Sequence, residues 1–403
     1  MKGRGEMTIQ LGTVSVFCLL LGLTGCGNVT APVDSSNHTE QTVDTICNTT
    51  TSTTPQPNTN PTPKIIVNPN KPQLNLTDSI YMISQSTGWD FTSAQGNIFG
   101  TDGILRTDDG GKSWTNITPL QLATKQNTYA GGEAVGVSNA WVVSANTRYT
   151  SVFKTSDGGK TWTCTNLPKA YLLAWMSFIN AQTGWLLASP GPAAGQEPSD
   201  LYYTSNGGIT WSEVATTQSD SLPLDDGKTG ISFADAKTGW LTIDNGLHPG
   251  KVTLYVTHDG GHSWLPQDVS VPTQVRNQYA HPLPPSFSSP TSGILPIVFD
   301  GGKGSVFYFT SNGGNTWTCS SVVPLHRVSN LVSVSNEAVW VTDGHSIFVT
   351  GNGGGVWRQW TPFLSKNAGI IALSARRNET STVVYTLQNG KVTQHDLNMT
   401  MMR

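Results

Sequence analysis

Thr155-Ser156-Asp157-Gly158-Gly159-Lys160-Thr161-Trp162 is an octapeptide that returns through the chain as Thr107–Trp114, Thr204–Trp211, Thr257–Trp264, Thr310–Trp317 and, in a worn form, Thr350–Trp357. Its terminal tryptophans, at 114, 162, 211, 264, 317 and 357, follow one another at intervals of 48, 49, 53, 53 and 40 residues. Self-similarity at this period marks a stack of supersecondary units rather than one irregular core. The copies follow apolar, β-rich runs, among them Val152-Phe153, Leu201-Tyr202-Tyr203, Leu254-Tyr255-Val256 and Val306–Phe309. Each therefore sits at the end of a strand. The Asp or Asn can accept hydrogen bonds from backbone N–H groups two or three residues on, and the glycine pair supplies positive φ. The tryptophan then buries a large apolar face behind the turn.

This turn resembles the Asp-box, or BNR repeat. Its structural positions are Asp109 and Trp114, Asp157 and Trp162, Asn206 and Trp211, Asp259 and Trp264, Asn312 and Trp317, and Asn352 and Trp357. Asn stands for Asp in three of the six. An amide keeps the hydrogen bonds but cannot act as a general acid or base, so these residues read as turn-builders.

A second motif precedes each turn. It is clearest as Ser177-Phe178-Ile179-Asn180-Ala181-Gln182-Thr183-Gly184-Trp185 and Ser232–Trp240, with looser copies ending at Trp89, Trp141, Ile294 and Trp340. Each unit then reads as strand A, a tight turn, strand B, a variable loop, strand C, the box turn, strand D and a long connection. Four-stranded antiparallel units at this spacing predict an all-β fold, a single β-propeller. A β-solenoid normally repeats at about 20–30 residues. Six motif pairs are complete. Beyond Trp357, Ile370–Ser374, Val383–Leu387 and Lys391–His395 supply three more strands, with Asn389-Gly390 as a hairpin turn. Lys64–Val67 is one strand too many at the other end, and it predicts closure of a seventh blade from outside. Six blades plus a C-terminal extension is the alternative.

Residues 1–25 carry Lys2, Arg4 and an apolar run, and end before Cys26 in Leu-Thr-Gly. This is the pattern of a secretory signal, too short for a spanning helix. Leu23-Thr24-Gly25-Cys26 resembles the bacterial lipobox, which implies cleavage before Cys26 and a diacylglycerol on its sulfur. Residues 26–63 are rich in Thr, Asn, Pro and Ser and predict a lipid-anchored, disordered tether reaching on the order of 35 Å. Residues 64–403 form the expected propeller. The expected place is the extracytoplasmic face of a bacterial cell membrane, reached through the lipid on Cys26.

Charged residues make up 12% of the chain and the net charge is −3, with no basic stripe of the kind nucleic-acid binding needs. The eight histidines show no metal-ligand spacing, so neither metal nor cofactor is expected, and the ring is expected to be a monomer. Of five cysteines, Cys164 and Cys319 follow box tryptophans in blades 2 and 5, too far apart for a disulfide, and they read as buried thiols.

The box turns and A–B turns share one face of such a ring, and the longer B–C loops and D–A connections share the other. Sites lie more often on variable loops carried by a rigid scaffold. The long segments are Pro119–Gly132, Ser189–Asp200, Thr216–Gly230 and Val271–Pro285. A central pocket lined by Arg276, Tyr279 and His281, with Asp225 or Asp226, is the candidate ligand site. Two resemblances cover most of residues 80–360. One is to sialidase and xyloglucanase-type glycoside hydrolases, which implies two carboxylates across a cleft. Glu197, Asp200, Asp225, Asp226, Asp244 and Asp268 are available, but the sialidase arginines and Phe-Arg-Ile-Pro segment are absent. The closer one is to the photosystem II assembly/stability factor family, on Phe-x-Asp-x-x-x-Gly-Trp followed by Thr-x-Asp-Gly-Gly-Lys-Thr-Trp. It implies a non-enzymatic seven-bladed scaffold. The expected function is a binding or assembly module for a protein or glycan ligand, with a glycoside hydrolase as the alternative.

Overall fold

The protein is described by a computed structural model covering residues 80–91, 104–119, 122, 128–145, 148–225, 227–244, 248–333, 335, 337–360, 368–375, 381–388 and 391–398. Six four-stranded antiparallel blades follow one another along the chain. Blade 1 comprises Ile80–Met82, Gly88–Phe91, Ile104–Thr107 and Thr115–Asn116. Blade 2 is Thr128–Val135, Asn139–Ala145, Thr150–Thr155 and Thr163–Asn166. Blade 3 is Leu173–Phe178, Gly184–Ser189, Asp200–Thr204 and Ser212–Thr216. Blade 4 is Lys228–Phe233, Gly239–Ile243, Thr253–Thr257 and Leu265–Pro266. In blade 5 strand A is broken into Ala280–Pro282 and Ser286–Phe287 by Pro284 and Pro285, and Gly293–Phe299, Gly304–Thr310 and Thr318–Cys319 follow. Blade 6 is Asn330–Ser333, Val339–Thr342, Ile347–Thr350 and Arg358–Trp360. A further sheet of three strands, Ala368–Ala375, Ser381–Gln388 and Lys391–Asn398, completes the order.

That three-stranded sheet lies between blades 6 and 1. Its inner strand meets the inner strands of both, Asn330–Ser333 and Ile80–Met82. Among the described residues the apolar core divides into seven clusters, each shared by two neighbouring sheets. One of them joins Ile80, Leu105 and Trp114 of blade 1 to Val383, Tyr385 and Val392 of the last sheet. The Gln394 amide donates to the carbonyls of Gln85 and Gly110 across the same seam, at 3.1 and 3.0 Å. The expected closing strand, Lys64–Val67, lies outside the described residues, as do the signal, Cys26 and the tether.

The seams explain the sequence motifs. Trp185 of strand B stacks on Phe233 of the next blade at 3.7 Å between centroids, and Trp264 stands edge-on to the same Phe at 6.1 Å. Trp141, Phe178 and Trp211 repeat this at the preceding seam, with 3.7 and 6.0 Å. The five strand-B tryptophans, at 89, 141, 185, 240 and 340, are fully buried. Each such ring removes roughly 150–250 Å² from water, a gross gain of about 4–6 kcal/mol before ordering entropy. The glycine before Trp185 is required by a close approach. A Cβ on Gly184 would stand 2.3 Å from the Phe178 ring.

Two expectations are corrected. The inner strands begin inside the segments expected as long connections, at Thr128, Lys228 and Ala280, so His281 is a strand residue rather than a loop residue. Gly131 and Gly230 mark register shifts within strands, where a missing side chain accommodates a bulge. The two cysteines are not buried thiols. Cys319 is free and exposed on an outer strand, and Cys164 is disulfide-bonded, to a partner outside the described residues.

Candidate functional site

The two faces of the ring are built differently. In every complete copy the first glycine of the octapeptide donates its N–H to the A–B turn of its own blade. Gly110 reaches Ser86, Gly158 reaches Ser138 and Gly260 reaches Lys237, at 2.8–2.9 Å, and Gly207, Gly313 and Gly353 repeat the bond. Box turns and A–B turns therefore share one face. Inside the turn, Thr155 Oγ1 donates to Asp157 Oδ1 at 2.9 Å and accepts the Gly159 N–H at 2.8 Å. Asp157 Oδ1 accepts the Thr161 N–H at 2.9 Å, and Oδ2 accepts the Thr161 hydroxyl at 2.7 Å. With Asn206 the carbonyl oxygen keeps the Thr210 N–H at 3.0 Å, while the amide now donates to the Thr210 hydroxyl at 2.8 Å. One hydroxyl proton turns round and the turn survives. In the sixth copy Val356 has no hydroxyl, yet its N–H still reaches Asn352 Oδ1 at 2.9 Å. Although partial burial opposes it, the bonds to Ser263 and Thr257 hold the Asp259 carboxyl down at about 2.

The opposite face carries the loops, and each of their polar groups has its own arrangement. Glu197 is buried on the long B–C loop of blade 3, where its Oε2 accepts the Lys228 N–H at 2.9 Å. The buried Lys228 ammonium donates to the carbonyls of Glu197 and Asp225, at 2.7 and 2.8 Å. Asp200 accepts from Lys169 at 2.8 Å and from the Tyr171 and Thr216 hydroxyls, and burial notwithstanding these bonds lower its pKa. The Tyr255 hydroxyl donates to Asp225 Oδ2 at 2.9 Å.

His281 is buried between two carboxylates. Its Nδ1 lies 2.7 Å from Asp244 Oδ2, on the B–C loop of blade 4, and its Nε2 lies 2.9 Å from Asp300 Oδ1, at the B–C turn of blade 5. Burial pulls the imidazole pKa down, but the two carboxylates outweigh it and raise it. Arg276 is exposed on the connection, and Tyr279 is 38% exposed beside it. The structure places the candidate residues as follows. His281 and Asp225 are engaged with other partners, Arg276 and Tyr279 face solvent, and Asp226 lies outside the described residues.

At the hub, a cavity of about 290 Å³ lies among the inner strands of blades 1 to 5. Its wall includes Tyr81, Glu133, Trp175, Phe178, Phe233 and Phe287. Most of these stand at the ends of strand A that lead into the A–B turns, so the cavity lies toward the box-turn end of the channel. Sequence reasoning placed the pocket at the other end. Among the described residues no group of His, Cys, Asp and Glu could hold a metal ion.

No protein-family model matches the chain, and no curated protein matches it. Solved structures do. YCF48 from Cyanidioschyzon merolae aligns with a TM-score of 0.51 at 18% identity, over 78% of this chain and 94% of that one. The GH74 xyloglucanase from Xanthomonas campestris aligns with a TM-score of 0.50 at 13% identity, over 77% of this chain and 52% of that one. At such identities the likeness concerns the fold. This chain is a β-propeller.

Proposed function

We propose that the protein is a lipid-anchored, extracytoplasmic β-propeller that binds a protein or glycan ligand on its loop-rich face without transforming it. The observation that carries the reading is the commitment of five carboxylates among the described residues of the loop face. Glu197, Asp200, Asp225, Asp244 and Asp300 each hold a partner within the ring, and the His281 imidazole fills the gap between the last two. Glycoside hydrolysis needs a pair of carboxylates facing an open cleft. What the same face offers a ligand is apolar and polar reach. Leu172, Leu224 and Tyr279 lie on three successive D–A connections, before blades 3, 4 and 5, and each is more than a third exposed. Arg276 stands exposed near Tyr279. Aromatic and arginine side chains are the usual anchors of a binding surface.

The anchoring half of the reading rests on the Leu-Thr-Gly-Cys sequence and gains support from Cys164. A disulfide persists in an oxidising compartment, which fits export. Incorporation of labelled fatty acid is expected in the wild type and lost in Cys26→Ala, and label retained in that variant would refute the anchor. Glycan and peptide arrays probed with the full acylated chain test the binding half. A ligand should be captured and recovered intact, with affinity falling at least tenfold in Arg276→Ala/Tyr279→Ala. Cleavage of the captured ligand would favour the hydrolase. Binding unchanged in the double variant would move the site off this face.

A further inference from the structure

The hub cavity carries a charge that the scaffold does not require. Counted back from the strand-B tryptophan or its equivalent, the eighth residue is Tyr81, Glu133, Ser177, Ser232 and Ser286 in blades 1 to 5. All five of these positions line the cavity. The structural task of this position is visible at two seams. Ser177 Oγ accepts the Phe233 N–H of the next blade at 2.9 Å, and Glu133 Oε1 accepts the Phe178 N–H of the next blade at 3.1 Å. One neutral hydroxyl therefore suffices for the seam. Glu133 performs the same task with one oxygen and leaves a second, Oε2, shielded from solvent and without a partner. Such a group costs about 1–3 kcal/mol or more when desolvated, so its retention calls for a compensating role.

The rest of the wall indicates what Oε2 can receive. Phe178, Phe233 and Phe287 reach the wall while stacked in the seams on Trp141, Trp185 and Trp240, and among the described lining residues there is no lysine, arginine or histidine. A carboxylate with no cationic side chain among the described lining residues is complementary to a positive charge, which gains an ion pair there. The volume, about 290 Å³, is far above the roughly 10–15 Å³ that one water needs and at the lower limit of small-molecule pockets, roughly 300 Å³. We propose that the hub cavity is a binding site for a small organic cation, an alkylammonium or guanidinium group such as a lysine or arginine side chain carries, with Glu133 as its counter-ion. The cation draws Oε2 toward the cavity while Oε1 stays on the seam. This site is separate from the loop face and does not depend on the ligand proposed there.

Protonation gives the site a signature. Burial, opposed only by the Phe178 N–H bond, pushes the Glu133 carboxyl up to about 7. Tyr81 is the other titratable group in the described wall, and burial together with the Glu133 charge raises it far out of that range. A cation competes with the proton on Glu133. Its affinity should therefore rise with pH, plateau above about 8 and fall about tenfold per pH unit well below 7.

The test is calorimetric titration of the full chain with arginine amide, N-acetyl-lysine amide and tetramethylammonium, and with N-acetyl-norleucine amide and glucose as neutral controls. An arginine-containing peptide, run alongside, distinguishes a free cation from a side chain presented by a partner protein. Binding of the cations alone, weakened at least tenfold and stripped of its pH dependence in Glu133→Gln, is the expected result. Cation binding that is absent at 10 mM probe, equal for the neutral controls or unaltered in Glu133→Gln would overturn the proposal. Should Glu133→Gln fail to fold by near-ultraviolet circular dichroism, the wild-type pH profile and the neutral controls decide.

Discussion

The box-turn face and the loop face of this ring are made by opposite means. On the first, one hydrogen-bond pattern is executed six times, within eight residues, by Thr, Asp or Asn, two glycines and Trp. On the second, the arrangements described at blades 3 to 5 differ from one another. Lys228 meets Glu197 across 31 positions and His281 meets Asp244 across 37. The repeated face is robust because each bond is local and replaceable. The other is specific because each contact depends on two distant segments arriving together. A ring of this kind can vary its ligand without disturbing its closure.

The comparison breaks most violently at a seam. Trp185 is fully buried, stacks on Phe233 at 3.7 Å and donates its indole N–H to the Gly260 carbonyl at 2.9 Å. Trp185→Ala should cost about 3–5 kcal/mol in urea denaturation, the usual range for emptying a buried aromatic site. Gly184→Ala should cost less, about 1–3 kcal/mol, because the added Cβ must displace the Phe178 ring. Equal and small effects for both would show that the seams are not the source of stability.

A smaller effect sharpens the loop side. The folded pKa of His281 lies above its unfolded value, so protonation is linked to folding. The contribution of the Asp244–His281–Asp300 cluster is fully present below about pH 6.5 and is lost as pH rises through the folded value. Thermal melts of the wild type should therefore show a decline across that window which His281→Gln lacks. An identical pH profile in the two proteins would separate His281 from the stability of this face.

The sequence made the fold legible for a physical reason. A strand end, a tight turn and a buried Trp are determined within a dozen residues, so the units could be located, their register set and the last three strands found at Ala368–Asn398. Sites were legible only where they repeat. His281 read as a loop residue because Pro282, Pro284 and Pro285 crowd it, whereas those prolines interrupt a strand. Its two carboxylate partners lie 37 residues before it and 19 after, a separation no local pattern encodes. Glu133 had a signal after all, an acid where blades 3 to 5 place serine, but it appears only when inner strands are aligned from the strand-B tryptophans. The disulfide at Cys164 was illegible because no repeated position signals it.

The central claim is that the strongest motif builds the ring and takes no part in its chemistry. The direct test is the triple variant Asp109→Asn/Asp157→Asn/Asp259→Asn, compared with wild type by thermal melting and by its glycan and peptide array profile. Since Asn206 and Asn312 already keep the same turn with an amide, the account predicts a folded ring and an unchanged profile. A variant that folds like the wild type yet loses its ligands would contradict it.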